Sequence, residues 1–116
     1  MEKELSLRDM IAERQNEIAS GDLHPARASD ILKELSSLYG NVLDEVRRCQ
    51  MQYNRLLVEF YDNEEKANRA KLKAEATPEY EAFLEAKNTD KLTLEMIRAL
   101  KYFLRQKEDE LKETNN

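Results

Sequence analysis

Tryptophan is absent from this 116-residue chain, and cysteine and histidine occur once each, glycine and proline twice each. Each scarcity removes a class of protein. A β-sandwich or barrel turns every few residues and uses Gly, Pro, Asn and Asp to do so, and two glycines and two prolines cannot serve that many turns. One cysteine forms no internal disulfide and, without partner cysteines, no zinc knuckle. Apolar runs stop at three or four residues, far short of the length that crosses a bilayer, and the charged opening MEKELSLRD lacks the form of a secretory leader. Neither a Gly-rich phosphate loop nor a Ser–His–Asp set nor a Glu-x-x-His pair is present, so the sequence predicts no catalytic residue, no metal site and no cofactor.

What is abundant is charge. Charged residues make up 37% of the chain and apolar residues 41%, a balance dominated by Glu, Lys, Leu, Ala and Arg that belongs to long helices. The net charge of −5 opposes general adhesion to DNA or to anionic lipid, and the signs are interleaved as on a solvated helix surface. A soluble, cytoplasmic, all-α protein is expected. The acidic cluster Glu108, Asp109, Glu110 and Glu113 opposes the dipole of the last helix and predicts fraying there.

Local signals place the elements. Ser6, three residues before Asp9, caps a first helix over about 6–20, which Ser20-Gly21 ends. Pro25 after His24 opens a second helix, because a proline at the first helical position loses no hydrogen bond. From there to Thr77 no proline interrupts a heptad pattern. One register reads Leu32, Tyr39, Val46, Tyr53, Phe60, Ala67 and Ala74, and the other Ala28, Leu35, Val42, Cys49, Leu56, Asn63 and Ala70. Of these fourteen positions only Asn63 is polar, which predicts one helix over about 25–76 with a coiled-coil seam.

Thr77-Pro78 reads as the turn of a hairpin, with the returning arm over about 78–113 and a break near 88–90, where Asn88-Thr89-Asp90 offers a fresh cap. Reversal at Thr77 would set Phe83 and Leu84 against Ala70, so that large side chains meet small ones. The expected architecture is an elongated antiparallel helical hairpin, one domain, with the short first helix packed on the start of the long one. Ile31, Leu38, Leu43, Leu57 and Tyr61 widen the apolar stripe beyond what one partner helix covers, which predicts self-association, most simply a homodimer, parallel or antiparallel.

The chemistry-bearing side chains have plain readings. His24 is a turn residue, and Cys49 is a small seam residue whose apolar neighbours raise its thiol pKa. Asn63 reads as a buried register-fixing asparagine, and Tyr39, Tyr53, Phe60 and Tyr61 as core. Arg55, Lys66, Arg69 and Lys73 form the one local basic surface and are the candidates for phosphate contact, although Asp62 and Glu65, four residues ahead of Lys66 and Arg69, and Asp44, ahead of Arg48, suggest ordinary intrahelical pairing.

Three consecutive segments, KANRAKLKAEA, TPEYEAFLEAKNTD and LTLEMIRALKYFLRQKEDEL, cover about residues 66–111. In this Lys/Ala/Glu-rich style the chain resembles the small helical accessory proteins encoded by tailed phages and prophages, often near recombination or replication genes. The resemblance implies a non-enzymatic protein acting through protein–protein contacts. Two alternatives stand beside that reading: a DNA-associated accessory of recombination or replication, and an acidic inhibitor of a host defence nuclease.

Overall fold

Residues 5–63 and 66–114 are described by a computed structural model as four helices, with no strand among the described residues: α1 (Leu7–Ala19), α2 (Pro25–Asn63), α3 (Ala67–Glu75) and α4 (Pro78–Thr114). The fold is an all-α helical hairpin. Ser6 caps α1 as expected, its Oγ accepting from the Asp9 N–H at 3.1 Å, and Gly21 supplies the left-handed residue beyond the helix at φ 86°. α2 opens at Pro25, with the His24 carbonyl accepting from Ala28 N–H at 2.9 Å.

The single helix expected over 25–76 is two elements. Lys66 is extended, at φ −113° and ψ 123°, and α3 starts after it. The local chemistry explains the interruption. The run Asp62-Asn63-Glu64-Glu65 puts acids and a poor helix former where α2 has no basic residue in its last turn to offset the dipole. Asn63 turns its side chain on its own backbone instead, Nδ2 donating to the Glu59 carbonyl at 2.9 Å.

Thr77-Pro78 does start a helix, but it is not where the chain reverses. Only Ala76 and Thr77 separate α3 from α4, and backbone N–H groups there keep bonding three residues back. The Thr77 hydroxyl donates to the Ala74 carbonyl at 2.6 Å and accepts from Tyr80 N–H at 3.3 Å, tying the end of α3 to the start of α4. Tyr53 of α2 packs against Tyr80 and Phe83 of α4, with ring centroids 5.1 and 5.8 Å apart. The residues midway between these partners are near the extended Lys66, so the chain reverses near there and not at Thr77. Phe83 therefore meets Tyr53 rather than Ala70.

The break expected near 88–90 does not occur, and α4 is continuous. Thr89 spends its hydroxyl on the Glu85 carbonyl at 3.0 Å rather than on a cap, while Ala86 and Thr93, one turn to either side, are buried. At the acidic end α4 runs to Thr114, whose Oγ1 donates to the Glu110 carbonyl at 2.8 Å, with Lys107 beside Glu110 at 3.4 Å.

The chain divides into two compact units, Met1–Asn41 with Lys91–Asn116, and Val42–Asp90. The first has a core of large aliphatic side chains. Ile11 of α1, Ala28, Ile31 and Leu35 of α2, and Met96, Ile97 and Leu100 of α4 are buried together, with Ile18, Leu23, Leu32, Leu38, Tyr39, Leu92, Phe103 and Leu104 around them. The second buries Val42, Cys49, Tyr53, Ala70, Ala74 and Ala86, a set with one large side chain.

Candidate functional site

The seam predicted from the heptads is a packing surface for most of its length. Leu35, Val42, Cys49 and Tyr53 are buried, and Leu32, Tyr39, Val46, Leu56 and Phe60 are half-buried. It fails at Asn63, which is exposed at the end of α2 and so is no buried register-fixing residue; Ala67 is exposed as well. Ala70 and Ala74, one turn apart on α3, are fully buried. The spacing was read correctly up to Phe60, and beyond it no continuous helix carries the pattern.

Cys49 has no catalytic setting. It is 4% exposed, its Sγ lies 3.8 Å from the Glu45 carboxylate, and burial first and the Glu45 charge second push the thiol pKa up, the opposite of what a nucleophile needs. Glu45 itself is held below the usual carboxylate range by its bond to Arg48. Arg48 therefore pairs with Glu45, and Asp44, which the sequence offered as its partner, sits 4.0 Å from Arg47. Among the described residues no group of three or more His, Cys, Asp or Glu side chains could hold a metal ion.

The four basic candidates do not act alike. Arg55 lines a shallow open groove with Gln52, Leu56, Glu59 and Glu79, where two carboxylates offset its charge. Lys66, Arg69 and Lys73 are exposed, and Arg69 and Lys73 share one face of α3 at a spacing of four. That is a small basic face of three residues.

The sequence does not signal one feature and signals another only in part. The first is a charge network between α1 and α2. Arg14 lies 3.1 Å from Glu17 and 2.7 Å from Glu34, while Arg27 donates to both Glu17 oxygens and lies 3.6 Å from Glu34. The Arg27 hydrogen bond, with a smaller contribution from Arg14, holds the Glu17 carboxyl below its usual pKa, and the same pairing raises that of Arg27. Alternating charges at these positions were visible in the sequence, but their meeting depends on the turn at Gly21.

The second is an apolar stripe on the outside of α2. The expected surplus beside the seam partly dissolves, since Ile31 is fully buried and Leu38 and Leu57 are half-buried. Leu43 and Tyr61 remain 41% exposed, and Met51 and Val58, which the sequence reading passed over, are 50% and 58% exposed. Met51 and Val58 are seven residues apart, Val58 and Tyr61 three, which puts them on one face of the helix. Asn54 lies among them, exposed, with Arg47 at the near end and Asp62 at the far end. Single exposed apolar residues are ordinary; here several share one face of one helix. No helix among the described residues is long and apolar enough to cross a membrane. No protein-family model, no curated protein and no solved structure matches the chain.

Proposed function

We propose that this chain is a non-enzymatic helical protein that self-associates through α2 and works through protein–protein contacts. We place it, on the style of residues 66–111, among the accessory proteins that tailed phages and prophages encode, acting in the host cytoplasm. The observation that carries the reading is the exposed face of Leu43, Met51, Val58 and Tyr61 on α2. Covering such side chains contributes roughly 25 cal/mol per Å² of apolar surface removed from water, and the seam residues beneath are already engaged inside the chain. A homodimer is the simplest assembly that covers one such face with another. Sedimentation across the micromolar range tests this: the average mass rises toward twice the monomer mass with concentration, and a monomer mass throughout removes the reading.

A second reading, an accessory that touches DNA, has the basic face of Lys66, Arg69 and Lys73 in its favour. Counterion release then predicts binding to duplex DNA at low salt that falls steeply as salt is added. Three cations on a chain of net charge −5 make this the weaker reading, and absence of binding at low salt removes it.

A further inference from the structure

We infer that the second copy of this chain lies antiparallel across the outer face of α2, with the two-fold axis passing beside Asn54. The inference rests on the self-association reading and adds the register. In an antiparallel pair each residue faces the one equally far on the other side of the axis. Centring on Asn54 sets Met51 against Leu57 of the second copy, with Val58 alongside, and Gln50 against Val58. Arg47 falls beside Tyr61 and Asp62 of the second copy, a cation between an aromatic ring and a carboxylate. Arg47 is 75% exposed, and its ion pair with Asp44 is a long one at 4.0 Å, so the guanidinium has donors left for a second partner. At the axis the two Asn54 amides meet, and an amide carries both donors and an acceptor, so the pair can bond reciprocally. A polar residue at the centre of the contact favours one register, because a slip separates the two amides.

Other arrangements of the same face fit less well. A parallel in-register pair sets Arg47 on Arg47 and Asp62 on Asp62, like charges at both ends of the contact. An antiparallel pair centred two residues earlier sets Leu43 against Tyr61, but it also sets Met51 against Tyr53 and Val58 against Val46. Tyr53 is engaged with Tyr80 and Phe83, so that register faces the exposed stripe with residues directed inward. Of these three arrangements, the Asn54 register is the one that brings Arg47 to a carboxylate while setting Met51 against Leu57, with Gln50 against Val58. A contact of one helix face on another is at the small end of stable interfaces, so dissociation in the micromolar range is expected.

The test uses the full chain in a Cys49→Ala background, with single Asn54→Cys or Leu43→Cys replacements oxidised in a glutathione buffer. A disulfide requires Cα atoms within about 7 Å. The proposed register brings the two copies of residue 54 together and leaves the two copies of residue 43 on the order of 33 Å apart. Asn54→Cys is expected to cross-link at least about tenfold faster than Leu43→Cys. Equal cross-linking at both positions indicates a parallel pair and overturns the inference. Because cysteine variants can perturb association, charge reversal gives an independent readout. Arg47→Glu is expected to weaken the dimer about tenfold in sedimentation, and Arg47→Glu with Asp62→Arg to recover most of that loss. A dimer that forms but ignores both tests overturns the register and leaves self-association standing. A monomer at every concentration overturns both.

Discussion

The two units of this chain are built from the same two long helices and filled differently. In the unit of residues 1–41 and 91–116, three helices contribute Ile11, Ile31, Leu35, Met96, Ile97 and Leu100 to one aliphatic cluster, and a four-charge network fastens α1 to α2. In the unit of residues 42–90 the buried set is Val42, Cys49, Tyr53 and three alanines, while Leu43, Met51, Val58, Tyr61, Leu72 and Leu84 stay exposed. The difference is a lesson in how one heptad pattern yields two outcomes. Where a third helix lies down on α2, even the residue beside the seam, Ile31, is covered completely. Where the buried positions are filled by small side chains, the apolar surplus stays outside.

The largest expected effect breaks the first unit. Leu35→Ala removes three side-chain carbons from a site with no exposure, and is expected to cost about 3 kcal/mol in urea denaturation. If the second unit is held more lightly, Tyr53→Leu, which loses the two ring contacts but keeps much of the volume, costs about 1.5 kcal/mol by the same measurement. Equal costs at the two sites would erase the distinction between the cores. Next comes Thr77→Ala, which removes the cap of α4 and the bond to Ala74 and is expected to cost about 1 kcal/mol, with amide exchange quickening around Tyr80.

The smallest effect sharpens the role of the charge network. Glu17 has a folded pKa below its ordinary value of 4.5, so its pairing stabilises the fold above that pH and the contribution is lost as pH falls through the lowered pKa. Melting temperature is therefore expected to hold from pH 7 to about 5 and to decline in acid. Glu17→Gln should melt lower at pH 7 and converge with the parent chain at low pH. Because the groups are solvent-accessible, added salt should narrow the gap at pH 7.

How much of this was legible in the sequence depends on the distance over which a signal acts. Caps were read correctly at Ser6, Pro25 and Thr77, since a cap is decided by its own residue and the next three. The inward face of α2 was legible from Ala28 to Phe60 because period alone places it. Continuity was not. Fourteen seam positions outvoted the acids between Phe60 and Lys66, yet the backbone leaves the helix at Lys66, and the reversal assigned to Thr77 moved with it. At Asn88 the error ran the other way: a local break signal lost to the burial of Ala86 and Thr93. The outer stripe was seen only at Leu43 and Tyr61. Met51 and Val58 stand among polar neighbours, and which apolar residues stay uncovered is settled by partners far away in the chain.

Cys49 has a practical consequence. It is the sole thiol of the chain and is 4% exposed, so an alkylating or disulfide-exchange reagent can reach its sulfur only when the surrounding helices part. The native protein thus carries its own stopwatch: the labelling rate at that one atom, followed by mass, times the breathing of residues 42–90 without any engineered reporter.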